Sequence, residues 1–567
     1  MNDMEAKIAD SVSVENMQGV LKELCRFERE AGTPEDLEAA ELIMTKLKGY
    51  GVPAEIHEFK SFVSRPIHSE FSVYAPFQES MKSVTHAFGA STPPEGVSGE
   101  VLYLEKLDGT DVSDKVVLTK GGLRPGTVLA LERGGAVAIV NMSTDNRFHQ
   151  GITTGIWGTP ALRDMGDIPS IPVITILKDD AEKLAAASRR APTFVHLRTE
   201  VFIGWKPLRI PVASIEGQDP KSFLLVGGHT CSWWEGATDN GTGNVCALEL
   251  ARILHSHRSS LRRSVRIAWW PGHSQARYSG STWYSDAMWS ELYDGCLAYL
   301  NIDSPGVRNA TEYTIRAMAE LEDFNKGVVE EVIGRAISGY YAGKRRPPRT
   351  SDQSFWGIGI PSLRVSSMIP EGHEDFAAAP GSAGAWWWHT DEDTLDKVGW
   401  DVLETDTRVL AILIARLLNS VVLPWRPTRM ADEISERIGE LKEQAGAQFD
   451  LSKVAQLAAR FAEHAAKLEK KIEGVAGGGS AEVGAINECL GQLSRIVNPV
   501  LRTEVGRFYH EPVAAKPLFP GLSHALELTR HLPDGNLYGF TITQTMREAN
   551  RVVDCLARAT QAIVRVL

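Results

Sequence analysis

The spacing of apolar positions changes character several times along the chain. Near the N-terminus Leu21, Leu24 and Cys25 share one helical face, and Asp36 to Leu47 forms a second amphipathic run that Gly51-Val52-Pro53 ends. The segment AEIHEF (54–59) then alternates as an edge strand does. Over 70–200 the pattern breaks into short β-like pieces, GEVLYL, DKVVLT, AVAIVNM and IPVITI, interrupted by Gly, Pro and Asp. Over 200–425 short apolar runs alternate with helical stretches. They are FLLVGG (223–228), SVRIAWW (264–270), CLAYLNID (296–303) and PSLRVSS (361–367). Runs this short, separated by helices, predict a buried and mostly parallel sheet.

Beyond Pro424 to Pro427 the period becomes helical. Val454, Leu457, Phe461, Ala465, Leu468 and Ile472 form one stripe, and Met546, Ala549, Val553, Leu556 and Ile563 another. Gly477 to Gly479 separates two of these helices as a flexible joint. These changes of pattern divide the chain into 1–70, 71–200, 201–425 and 426–567.

With 567 residues, the chain is too long for one hydrophobic core. A net charge of −12 argues against nucleic acid as a partner, because that surface requires concentrated Lys and Arg. No apolar run reaches membrane-span length, so no membrane partner is expected. The first residues carry acids and lack an apolar stretch, unlike a secretory leader. Six cysteines without paired spacing suit a reducing, cytoplasmic setting.

Candidate chemistry gathers where the strands of the third segment end, the edge at which open α/β sheets bind ligands. His229 follows the first strand, His273 the second, and Asp303 closes the third. In GGHTCSWWEGATDNGTG (227–243) an Asp stands ten residues after the His, in a Gly-rich turn before a helix. Imidazole and carboxylate in that relation suit zinc and related divalent ions, and Asp239 has two oxygens with which to bridge. His389 in WWWHTDEDTLDKV adds a second imidazole. Trp386-Trp387-Trp388 can line a pocket or pack beneath that loop. EGHEDFAAAP (371–380), with His373, reads as a solvated lid.

These strings resemble the co-catalytic zinc aminopeptidases, peptidase family M28, whose members include glutamate carboxypeptidase and the transferrin receptor. Typical members read GGHxDSW, GAxDNGTG, WGGEEQGLLGS, LNxD and HTxxDT; the counterparts here are GGHTCSW, GATDNGTG, WPGHSQARYSGS, LNID and HTDEDT. VSDKVVLTKGG, ERGGAVAIVNM and IPVITILKDDAEKL resemble the protease-associated domain inserted in many relatives. The C-terminal helices are similar, in position and helicity, to the dimerisation domain of the transferrin-receptor branch. The resemblance implies a zinc-aminopeptidase-type α/β domain with a β-rich insertion and a helical, dimerising C-terminal domain. It implies that His229, Asp239 and Asp303 hold one divalent metal and that Asp239 and His389 serve a second position.

Three departures from the family pattern alter the expected chemistry. The Glu-Glu pair that supplies a general base and a metal ligand is His273-Ser274 here. Cys231 stands where relatives carry the Asp that orients the first His, and Gln353 where many carry His. Neutral Ser274 is a poor ligand, which favours one ion over two, with zinc first and iron or manganese as alternatives. His273 stays open between catalytic base, metal ligand and inert replacement. Three functions fit these residues. The first is hydrolysis of an amide or peptide-like small substrate through metal-bound water, with His273 as base. The second is another reaction class on this scaffold, such as a lyase acting on a chelating small molecule. The third is a non-catalytic receptor-like or scaffold protein. The resemblance implies a homodimer through the C-terminal helices.

Overall fold

The computed structural model describes residues 1–337, 339–341, 350–475, 480–513 and 517–567. The Gly477 to Gly479 joint lies outside them. Three capped helices open the chain, one more than the sequence pattern suggests. Asn2 and Glu5 form a capping box on Asp3–Asp10, Ser13 caps Val14–Leu24, and Thr33 caps Pro34–Gly49.

One mixed sheet of 14 strands runs through the molecule. Each strand foreseen in the third segment is present: Asp219–His229, Arg263–Trp270, Cys296–Asn301 and Ser362–Met368. They pair in parallel, with 219–229 between 263–270 and 296–301, and 362–368 outside the latter. The chain leaves 219–229 to one side and returns on the other, so a crevice opens beyond its carboxyl end. Antiparallel strands flank this group: Phe194–Ile215 beside 263–270, and Glu312–Ala317 beside 362–368. The 20-residue helix Trp400–Asn419 and helix Thr242–Ser256 bury Leu410, Leu413, Leu250 and Leu254 on the sheet.

The expected short strand at 54–59 is the start of Ala54–Ala75, which runs antiparallel to Phe194–Ile215 over nearly its whole length. This ribbon carries the chain into and out of the insertion. There Val97–Leu104, Lys115–Lys120, Ala138–Met142 and Val173–Ile176 are parallel, and helices Pro125–Arg133 and Lys178–Ser188 complete an α/β layer. Of these, Lys115–Lys120, Ala138–Met142 and Val173–Ile176 are buried on both faces, which suits parallel pairing, while Val97–Leu104 is only half-buried.

After Pro427 come helices Pro427–Ala445, Ser452–Gly474, Ser480–Arg502 and Asn536–Val564. Their buried Leu441, Phe461, Leu490 and Leu556 join the same apolar core as the sheet. The Pro424–Pro427 turn therefore divides the helices in sequence but not the core they share. No described helix is long and apolar enough to cross a membrane.

Candidate metal centre

Strand 219–229 delivers His229 to the crevice, and the turn after it brings Asp239 back to the same point. The strand can approach its neighbour closely because Gly228 has no Cβ: one placed there would lie 2.4 Å from the Ile302 carbonyl oxygen. Asn240 ties the ends together. Its amide nitrogen donates to the carbonyls of His229 (3.3 Å) and Ile302 (3.1 Å), and its oxygen accepts from the Ser304 N–H (2.8 Å). Gly243 leaves room for that side chain, since a Cβ there would stand 2.0 Å from Asn240 Oδ1. The Asp239–Asn240 peptide is cis. Buried Arg29 holds the intervening loop, donating to the carbonyls of Thr230 (2.9 Å) and Gly236 (3.0 Å).

Four side chains meet at the crevice. His229 Nε2 lies 2.9 Å from Asp239 Oδ1 and 3.7 Å from Asp303 Oδ1. His389 Nε2 lies 3.4 Å from Asp239 Oδ2. One ligand atom each from His229, Asp239 and Asp303 falls within 4.8 Å of the others. Asp239 thus presents one oxygen to each imidazole, and the second oxygen of Asp303 receives Arg364 Nη1 at 3.3 Å.

The other ring nitrogens fix the chemistry. His229 Nδ1 is 2.8 Å from the Cys231 carbonyl, and His389 Nδ1 is 2.7 Å from the Gln150 carbonyl. A carbonyl only accepts, so both Nδ1 atoms carry protons. Each neutral ring then aims a bare Nε2 lone pair at a carboxylate oxygen. That arrangement is repulsive unless a proton or a metal ion lies between the two atoms. At His229, without a metal, the proton serves. Burial disfavours charge on His229, but its contacts with Asp239 and Asp303 outweigh burial and hold its pKa well above the ordinary histidine value. Burial likewise opposes charge on Asp239 and Asp303. The bonds from His229 and His389 keep Asp239 well below the usual carboxylate range, and Arg364 followed by His229 lowers Asp303. Two imidazole nitrogens with two carboxylates form a donor set that fits zinc, iron or manganese.

His273 stands beside this set. Its ring stacks on His229 at 4.0 Å between centroids, with 21° between planes, and Tyr278 packs at 4.2 Å on it. Its Nδ1 is buried without a partner, and burial followed by the neighbouring His229 charge pushes its pKa well below the usual value. The ring is therefore neutral in the metal-free chain. The Cys231 sulfur accepts the His273 backbone N–H at 3.0 Å, and its carbonyl accepts from His229 Nδ1. Ser274 is buried next to His273. Gln353 is buried and donates to the Glu511 carbonyl, tying that loop to the C-terminal region.

Several contributors have no counterpart among the residues singled out from the sequence. Asp393, within the HTDEDT string, accepts from Thr238 Oγ1 (2.7 Å), the Thr238 N–H (2.9 Å) and the Asp239 N–H (3.0 Å). Burial pushes its pKa up to about 7 against those bonds. Arg364, inside PSLRVSS, is the cation on Asp303. Gln150, from the insertion, holds His389. The three tryptophans divide their work. Trp387 is buried and donates to Thr238 Oγ1 at 3.2 Å, Trp388 stacks on His389 at 3.7 Å, and Trp386 packs against Arg147. They support the metal loop from below and beside. The 371–380 loop borders a cavity of about 630 Å³ that starts at Asp303 and Arg364.

Residues 212–414 match the model of peptidase family M28. Among curated proteins, the "Probable glutamate carboxypeptidase VP8" of Zea mays is 23% identical over 504 residues, covering 72% of this chain and 68% of that one. Aminopeptidase NAALADL1 of Mus musculus is 23% identical over 418 residues, 66% of this chain and 54% of its own length. Among solved structures, the aminopeptidase from Aneurinibacillus sp. strain AM-1 superimposes with a TM-score of 0.57 at 19% identity, covering 73% of this chain and 95% of that one. At that identity the likeness is one of fold.

Proposed function

We propose, from the match of residues 212–414 to the model of peptidase family M28, that the chain is a metal-dependent hydrolase of amide bonds in peptide-like substrates. The observation that carries this reading is the pair of imidazole Nε2 atoms aimed at opposite oxygens of Asp239, with Asp303 beside them. His229, Asp239 and Asp303 would hold a divalent cation, zinc first, with His389 completing the set through the other face of Asp239. Such an ion supplies Lewis-acid polarisation of the scissile carbonyl. Ser274 in place of an acidic ligand supports one ion rather than two.

The chain's own groups do the rest. His273, whose ring is buried against His229 with Nδ1 unpartnered, is the group placed to accept the proton released during attack and return it to the leaving amine. Asp393 fixes the turn that presents Asp239. The cavity beyond Asp303 and Arg364 receives the substrate beside the reacting bond. The exposed Leu537, Phe540 and Met546 on the last helix support association into a homodimer.

A second reading rests on Arg364. Its guanidinium on Asp303, together with a protonated His229, can neutralise the carboxylates without any metal, as a non-catalytic scaffold requires. One experiment separates the two. The full chain is purified without chelator, analysed for metal, and offered a panel of aminoacyl and dipeptide amides. The hydrolase reading expects about one divalent ion per chain and turnover that chelator abolishes. A chain that neither retains nor takes up a divalent ion supports the scaffold instead.

A further inference from the structure

The insertion carries no metal-ligating cluster among its described residues, yet one of its loops reaches both the His389 loop and the Tyr278 ring that packs on His273. After strand Ala138–Met142 the chain does not turn straight into its next strand. It crosses to the His389 loop and pairs with it: Gln150 N–H donates to the His389 carbonyl at 2.9 Å, and His389 Nδ1–H donates to the Gln150 carbonyl at 2.7 Å. Two side chains fasten the contact. His149 Nδ1 donates to the Trp388 carbonyl at 2.7 Å, while its Nε2 lies 3.1 Å from Asp145 Oδ1. Arg147 Nε donates to Glu392 at 3.2 Å, and its guanidinium lies 4.2 Å over Trp386. Farther along, Trp157 stacks on Tyr278 at 3.7 Å, and Tyr278 in turn packs on His273.

His389 needs this outside support. It sits at φ 58°, a left-handed backbone that a residue with a Cβ holds only when its surroundings impose it. Its own loop supplies no acceptor for Nδ1; that acceptor comes from 239 residues away in sequence. Partners that fix the tautomer and direction of a metal-binding imidazole typically alter metal affinity by about 10- to 100-fold when lost.

We propose that the loop 143–158 of the insertion is the positioning element of the metal centre, with Arg147 and His149 as the positioning residues that set His389, so that the ion is bound tightly only when the insertion is docked. The inference rests on the metal-dependent reading of the centre. It assigns the insertion a part in building the centre.

The test titrates the metal-stripped full chain with Co2+, read by calorimetry and by the visible d–d absorption of the bound ion. His149→Ala is expected to weaken Co2+ binding by roughly 10- to 100-fold and to change the d–d bands. His149→Asn, whose amide N–H replaces the donor to Trp388, is expected to recover most of both. Arg147→Ala removes a side chain that is 40% exposed and pairs at the surface, so it carries the test if His149→Ala does not fold. It is expected to shift affinity in the same direction by less. Lys115→Ala, at the opposite end of the insertion's strands where it pairs with Glu100, is expected to change neither readout. Affinity and spectrum unchanged in both His149→Ala and Arg147→Ala would overturn the inference and leave the metal reading standing. No Co2+ uptake by the unaltered chain would overturn both.

Discussion

His229 and His389 do the same thing by different means. Each turns Nε2 toward Asp239, and each donates Nδ1–H to a backbone carbonyl at nearly the same distance, 2.8 and 2.7 Å. The carbonyl that orients His229 belongs to Cys231, two residues on in the same turn. The one that orients His389 belongs to Gln150, in a loop of the insertion. The first imidazole is therefore placed as soon as strand 219–229 joins the sheet, and the second only when a distant loop has docked. Half of the centre is local structure, and the other half is tertiary structure.

Asp239 is where the two halves meet, so altering it has the largest effect. Asp239→Asn removes the charge both imidazoles share, and cation affinity should fall by more than the roughly 100-fold expected from losing a residue that only orients a ligand. Calorimetry on the full chain measures it; retention of wild-type affinity would break the account. In the metal-free chain the same change disrupts a buried ion pair and should cost about 3–5 kcal/mol in chemical denaturation. Ser274→Glu, which restores the acid that the family pattern carries at this position, should raise the bound metal from one ion toward two per chain. An unchanged stoichiometry would mean that the missing acid is not what limits it.

pH separates the metal-free chain from the loaded one. The native pKa of His229 is raised, so its contribution to stability is complete below the unfolded value of about 6.5 and is lost as pH rises through the native value. In chelator, the melting temperature should decline as pH rises above about 6.5 on this account. A saturating divalent ion competes with that proton, so its stabilisation should grow over the same range, and uptake near neutrality should release a proton. Calorimetry in buffers of different ionisation enthalpy counts it; no release would show that His229 is neutral before the ion arrives. The smallest effect is local. Thr238→Val removes the hydroxyl that joins Asp393 to Trp387 and should cost about 1–3 kcal/mol, with cation affinity falling less than for His149→Ala.

The same division governs what the sequence reveals. The strands around the crevice are legible because each is a short apolar run buried on both faces, and His229, Asp239 and Asp303 lie at or just after their ends. Their convergence follows from sheet topology. Gln150 is illegible because its carbonyl does the work, and a carbonyl leaves no mark on residue type. Nor does Arg29 stand out, since its partners are carbonyls too. Asp393 could have been found, because it is a third acid in HTDEDT and the one that ends up buried against Thr238. The insertion's part in the centre is hidden in the sequence for the same reason: its contribution is made by a loop without ligand-spaced side chains. The substitutions at 273 and 274 are plain in the sequence. That His273 would stack on His229 and lose its charge depends on burial, which neighbouring residue types alone do not give.

The most direct measurement of the central claim is the metal content of the full chain and of Asp239→Asn, each stripped, reloaded with a slight excess of Zn2+ and separated from free ion before elemental analysis. The account predicts about one ion per unaltered chain and none retained by the variant. Equal Zn2+ in both, or none in either, would contradict it.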